Sequence, residues 1–543
     1  MPSSGTNTHS RRELLKYGGI SASSIFLAGC AGGSDDTTDN EAGDDLVTYI
    51  GGGGFSTLDP ASHQFVQTSV VCVNLYDPLV FVDPETQEPS PHLATDWSVS
   101  ENGTVWEFEL RDVVTFHNGD SLTAEDVAYS MDRLLSIGQG YSFLFSDTLS
   151  EGDTTALDDT TVQFELSQPF SILPATLTRL MVVNKNQVEP EEVDGDYGAD
   201  YLQTNVAGSG PYSLVEWDQP NEDILFEPYD DHWLGWPDNR LERVQWSFVP
   251  EVSNVQTMFD QGDAHAVHTF FPDTTKREIA EFDNVRMEQE TEKSTNAYYI
   301  FQHTQKPPLD DVHVRRAIAY AFDYESVIED ILGGTEMAGP VPSALAAHNS
   351  DLTPIRQDLD RAQQELEEAS YSLDEINDIR MEDSYDPDLP TNREAALVFQ
   401  NSVEQIGIES VEIVGDPFPA LADRVQDQES SPHFYHQFAP SNIPSAHAFL
   451  NSMYMPSAFG TTNGGHWYST DELQEVLTDA VSAPDLETQT DHWQEAQQMI
   501  QDSHAALNIA QLPVLFPMSE DLEGWTFRGA LGFDVYFNDW SSR

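Results

Sequence analysis

Only five of the 543 residues are lysine, and lysine and arginine together number 23 against 94 aspartates and glutamates. A formal net charge of −71 leaves no surface to neutralise a phosphate backbone, which excludes nucleic-acid binding. Cysteine is nearly missing as well, with two residues, Cys30 and Cys72. The weakly apolar stretch Tyr17 to Ala28 falls short of the roughly 20 residues that a membrane-spanning helix needs. Motifs that carry chemistry are also absent. The chain has no H-E-x-x-H, G-x-S-x-G, S-x-x-K or C-x-x-C, no P-loop lysine, no G-x-G-x-x-G leading into a helix, and no D-x-[DN]-x-[DN]-G calcium loop. No catalytic residue, metal or cofactor is therefore assigned, and the chain is read as a non-enzyme. A Ser-His-Asp triad with scattered members leaves no local signature, so an extracellular hydrolase stays open as an alternative, beside a surface protein without a transport role.

What is present is enough apolar material to fold. Apolar residues make up 39% of the chain, and the 33 glycines bring the total near the globular norm. The length suits three or four compact units or a pair of large lobes. The acids run along the whole chain instead of gathering in a tail. This points to a halophilic protein, because molar salt shortens the Debye length to about 3 Å and screens the self-repulsion.

The first residues read as an address. Ser10-Arg11-Arg12-Glu13-Leu14-Leu15-Lys16, the apolar stretch, and then Leu27-Ala28-Gly29-Cys30 resemble a twin-arginine export signal over 1–29 that ends in a lipobox. Arg11 and Arg12 would direct export and Cys30 would take the lipid. Residues 30–45 hold no apolar periodicity and read as an acidic flexible tether. Loss of a leader with three bases and one acid leaves 20 bases against 93 acids, a net charge of about −73. Cys72 then stands alone among Val70, Val71, Val73 and Leu75, as a buried and inert thiol.

In the body, Leu46 to Ile50 reads as a strand running into Gly51-Gly52-Gly53-Gly54. Val105 to Leu110 alternates, with Trp106, Phe108 and Leu110 on one face, after an Asn102-Gly103 turn signal that is also a glycosylation acceptor. Thr123 to Asp126 forms a capping-box start for a helix carrying Val127, Met131, Leu134 and Leu135. Helical periodicity returns at Val314–Tyr324, Asp360–Ala369, Glu394–Ile406 and Thr490–Ala506, and Val411–Val414 reads as a strand. The alternation indicates an α/β body.

Pro91-His92-Leu93-Ala94-Thr95-Asp96-Trp97, Phe108-Glu109-Leu110-Arg111 and Thr115-Phe116-His117-Asn118-Gly119-Asp120 through Val127 look like the signature region of family 5 extracellular solute-binding proteins. The likeness continues in order through Gly208-Ser209-Gly210-Pro211-Tyr212, Val314 to Asp323, Asp360 to Ala369 and Ile406-Gly407-Ile408, and ends near Leu522-Glu523-Gly524-Trp525. The resemblance implies an α/β, two-lobed periplasmic-binding-protein-like clamshell (type II, cluster C) with an extra inserted subdomain in lobe I. Carried onto this chain, the lobe I base comprises 46–75, 205–290 and 508–543, the insertion 76–204, and lobe II 291–507, with crossings near Thr295 to Gln302 and Asn508 to Phe516.

The resemblance also implies capture of a small polar solute (peptide, sugar or similar) by hinge closure, and its delivery to ABC permease and ATPase subunits. The protein would be a monomer on the outer face of the cytoplasmic membrane. The candidate ligand-binding residues are Phe55, Ser56 and Asp59 after the first strand, and Phe438, Ser441, Asn442, His447, Trp467 and Tyr468 in lobe II. His433, His436, His447 and His466 gather in the same lobe. Imidazole suits nickel or heme iron, but spacings of 3, 11 and 19 match no compact ligand motif and favour ordinary loop histidines. The chain departs from peptide-binding members at one place. Phe438 to Leu450 contains no acid where those members set a carboxylate for the peptide's amino group. An unpartnered buried ammonium is costly, so free peptides are disfavoured unless another acid such as Asp59 substitutes. Ser441, Asn442 and His447 would suit a sugar-like solute.

Overall fold

The computed structural model describes residues 46–53, 57–63, 65–269, 271–387, 389–530 and 532–543. The export signal with Arg11 and Arg12, Cys30, the tether, and Phe55 and Ser56 of the first loop lie outside the described residues.

Two mixed sheets organise the chain. The first has seven strands in the order Val285–Glu290, Val514–Ser519, Ala266–Val267, Leu46–Gly51, Arg243–Phe248, Asp223–Pro228 and Tyr212–Asp218. Leu46–Gly51 runs parallel to both of its neighbours, and the remaining pairs are antiparallel. The second has six strands, ordered Thr335–Glu336, Ala506–Gln511, Ala297–Gln302, Phe434–Ala439, Met381–Tyr385 and Val411–Gly415. Ala297–Gln302 and Ala506–Gln511 are buried at every position, as inner strands flanked on both faces must be. The chain therefore crosses between the sheets at 291–296 and 512–513, the first overlapping the start of the expected Thr295 to Gln302 and the second lying within Asn508 to Phe516. Leu512 N donates to Asn296 O at 2.8 Å there. The arrangement is a two-lobed α/β fold, one sheet to each lobe.

Between the strands of the first sheet the chain builds a smaller layer. Ala94–Val99, Val105–Leu110, Thr161–Glu165 and Thr154–Ala156 form a four-stranded antiparallel sheet. Trp106, Phe108 and Leu110 alternate into its core while Glu107 and Glu109 face solvent, and each large side chain so buried contributes about 1.5–3 kcal/mol. The helix Ala124–Ile137 covers this sheet with Val127, Met131 and Leu134. Its start is fixed by Thr123 N donating to the Asp126 carboxylate at 2.8 Å, a cap of about 1 kcal/mol, and its end by Gly138 at φ 65°. Cys72, on the helix Val66–Leu75, is buried in the separate core against the seven-stranded sheet, and burial raises its thiol pKa.

Tyr76 and Gly208 flank the segment that carries this smaller sheet, and the chain is locked together there. A Cβ on Gly208 would lie 2.0 Å from the Leu75 carbonyl oxygen, so no other residue fits. Between them Asp77 is fully buried. It accepts from Ser209 Oγ at 2.9 Å and Trp233 Nε1 at 3.3 Å, and pairs with His92 Nε2 at 2.9 Å. The surrounding histidines hold its carboxyl far below the usual range in spite of burial.

Candidate functional site

Residues 167–183 contain one charged side chain, Arg179. The short helical turns Leu173–Thr176 and Leu177–Arg179 carry it to the face where the insertion meets the second lobe. It is 3% exposed, and its Nε donates to the backbone oxygen of Asn442 at 2.6 Å. Its guanidinium lies 4.6 Å from the Tyr141 ring centroid and 4.9 Å from that of Phe533. Cation–π contact of a desolvated guanidinium is worth about 2 kcal/mol per good ring. Burial and the Arg179 charge together lower His63 to about 4, so His63 is neutral near pH 7.

The C-terminal segment supplies the opposite sign. Asp534 is 5% exposed and accepts from the Thr269 hydroxyl. Burial raises its carboxyl pKa, against the pull of Thr269, Lys276 and Arg528. Lys276 is itself buried and paired with Asp273 at 2.9 Å, and Arg528 pairs with Asp539 at 2.6 Å. A cavity of about 20 Å³ here is bounded by Thr269, Thr295, Asn296, Ser441, Gly529 and Asp534, so both lobes contribute walls. A second, of about 10 Å³, lies beside Ala61, Arg133 and Arg179. Each holds about one water. Neither space holds more than water, so a solute reaching them requires the lobes to part.

The structure places the residues expected from sequence in three groups. Ser441 and Asn442 stand at this face, next to Phe438 at the end of its strand. Ser441 is buried, with its hydroxyl donating to Ile443 O, and Asn442 receives Arg179. His447, a few residues on, is lowered to about 4 by burial, with Ser452 Oγ 3.4 Å from its Nδ1. Asp59 is held apart. Its carboxylate takes both terminal nitrogens of Arg133 at 2.6 Å, Ala61 N at 2.9 Å and Ser62 Oγ at 2.8 Å, so its lone pairs are spent on structure. Trp467 and Tyr468 lie at the far end of the central strand, where Thr304 Oγ1 donates to Trp467 O. At about 3.3 Å per residue this is roughly 25 Å from Thr295 and Asn296.

The four histidines do not converge. His436 lies between Asp383 at 3.2 Å and Tyr298 at 2.9 Å, His466 stacks on Tyr454 at 4.4 Å, and His433 Nδ1 accepts from Glu382 N. Among the described residues the group spaced to hold a metal ion is instead His313, Glu365 and Glu368 on the surface. Arg179, Tyr141 and Asp534 are what sequence reasoning missed. A lone arginine in an otherwise uncharged run of 17 residues was the available signal for the first of them, while Tyr141 and Asp534 had none.

Comparison with known proteins adds three findings. The family model for bacterial extracellular solute-binding proteins, family 5 Middle, matches residues 88–461. A probable D,D-dipeptide-binding periplasmic protein of Escherichia coli K12 is 26% identical over 494 residues, covering 88% of this chain and 90% of that protein. Among solved structures, the ABC transporter substrate-binding protein CtaP of Listeria monocytogenes superposes with a TM-score of 0.81 at 17% identity, over 92% of this chain and 99% of that one. A periplasmic binding protein of Helicobacter pylori in complex with the peptide STSA superposes with a TM-score of 0.73 at 23% identity, over 92% and 98%.

Proposed function

Because the chain belongs to family 5 of the bacterial extracellular solute-binding proteins, we propose that it is the receptor of an ABC importer that captures a small solute bearing a carboxylate. In this reading it is a halophilic monomer, exported through Arg11 and Arg12, lipid-anchored through Cys30 outside the cytoplasmic membrane, and it hands its solute to permease and ATPase subunits. The lobe I base spans 46–75, 205–290 and 508–543, the insertion 76–204 and lobe II 291–507.

The observation that carries the solute class is Arg179. In a chain with four acids for every base, a buried guanidinium stands at the lobe interface, with a carbonyl and two aromatic rings among its contacts. A carboxylate there gains a charge-assisted hydrogen bond in a desolvated site. Asp534, on the base of the same lobe, suits the amine of an amino-acid-like or short peptide solute, the role that Asp59 was expected to take, while Ser441 and Asn442 face both from the second lobe. A solute touching both lobes favours the closed form by its differential affinity. An uncharged, sugar-like solute has less support, because the Ser441 hydroxyl is already engaged.

Calorimetry on the mature protein in molar KCl tests this with the dipeptide Ala-Phe, its C-terminal amide and a disaccharide. Ala-Phe is expected to bind, with the amide and the Arg179→Gln variant each weaker by about 30-fold or more, since removing one partner of a buried charge pair costs at least about 2 kcal/mol. Binding of the disaccharide alone, or equal binding of acid and amide, overturns the assignment. Hydrolysis of Ala-Phe by the pure protein would favour an enzyme.

A further inference from the structure

A groove lined by both lobes lies away from Arg179. It measures about 540 Å³ at the outer edge of the cleft, between the inserted subdomain and the second lobe, and its volume is ordinary for a small-molecule site. Trp97, Val99, Trp106 and Phe170 form one wall, and Leu486 and Trp493 stand on the other. We propose that this groove is a second binding site, for an uncharged or cationic apolar molecule with an aromatic or branched aliphatic body.

Three observations lead to that occupant. Val99 and Leu486 are 41% and 73% exposed, so apolar area on both walls stays open to water, and contiguous area of that kind marks a binding site. The indole nitrogen of Trp106, a residue 7% exposed, has no hydrogen-bond partner among the described residues, and buried indole N–H groups normally find one. The charged residues of the lining are Glu88, Glu101 and Asp485, with no lysine or arginine among them, so an anion is disfavoured.

The groove also depends on closure. Ser171, in its wall, donates from N to Val481 O at 2.8 Å across the lobes, and Gln489 donates to its hydroxyl. An occupant touches both walls and adds to the closed form whatever solute Arg179 takes.

The test uses the mature full chain in molar KCl and the neutral, environment-sensitive dye Nile red. One saturable site per chain with blue-shifted emission is expected. Val99→Glu and Leu486→Glu alter exposed positions, so thermal melting should be unchanged while each weakens dye binding by about tenfold or more. Non-saturable binding, several equivalent sites, or affinity indifferent to both substitutions in variants that melt normally overturns the proposal. None of these outcomes depends on whether Arg179 binds a carboxylate.

Discussion

Asp59→Asn separates a structural acid from a ligand acid. In the native fold the Asp59 and Arg133 side chains are each 1% exposed and joined by two hydrogen bonds of 2.6 Å, with Arg133 Nε also donating to Tyr197 O at 2.7 Å. An asparagine keeps the shape and removes the charge, leaving a guanidinium buried without its counter-ion. Breaking such a pair from one side costs about 3–5 kcal/mol, whereas replacing both partners by groups of similar volume is close to neutral. Asp59→Asn should therefore lower stability by about that amount, and Asp59→Asn combined with Arg133→Met should recover at least half of it. Urea titration followed by circular dichroism in fixed molar KCl measures this, since urea leaves the ionic strength unchanged. The reasoning is refuted if Asp59→Asn costs less than about 1 kcal/mol while weakening solute binding tenfold, for Asp59 would then act on the ligand.

Three further outcomes are expected. Acid should destabilise the protein from near pH 6.5. Burial lowers His63 to about 4, and His466 and His504 to about 3, so the unfolded chain takes up protons first, at about 6.5. Stability is thus full above that pH and falls toward pH 3–4, on the order of 3–5 kcal/mol per histidine, and a melting temperature flat between pH 7.5 and 5 contradicts it. Salt removal should unfold the chain as the Debye length grows from about 3 Å at 1 M to about 30 Å at 0.01 M, and an unchanged circular dichroism spectrum at 10 mM salt defeats the brine argument. Arg11→Lys with Arg12→Lys should strand precursor in the cytoplasm, and Cys30→Ser should abolish membrane partitioning, with wild-type fractionation of either variant counting against the address.

Local rules carried well from sequence to fold. The alternation at Trp106, Phe108 and Leu110 and the Thr123–Asp126 cap are governed by neighbours in the chain, and both stand as read. The later helices shift by a few residues at their ends, as at Leu486–Ser503 against an expected Thr490 start, because frayed turns and caps, unlike apolar spacing, set boundaries. The site was less legible. Asp534 meets Thr269 across 265 positions, and no periodicity reports such a pairing. Trp467 and Tyr468 belong to the right lobe but to its far end, since membership of a lobe says nothing about which end of a strand a loop reaches. Asp59 has the expected charge, and Arg133, 74 residues on, claims it.

Two hydrogen bonds between the insertion and the second lobe fall on one short stretch, at Ser171 and Arg179, and an ion pair of Lys293 with Glu85 adds a tie at the crossing 291–296. The segment carrying the small sheet is pinned to the base through Asp77 and Gly208, and its contact at Asn442 lies close to the crossing, because Ser441 shares a cavity with Thr295 and Asn296. A hydrogen bond is lost once donor and acceptor separate by little more than half an ångström beyond its optimum. Parting of the lobes therefore breaks the bonds of Arg179 to Asn442 and of Ser171 to Val481 early in the motion. Occupancy is thereby converted into one of two shapes, latched or parted.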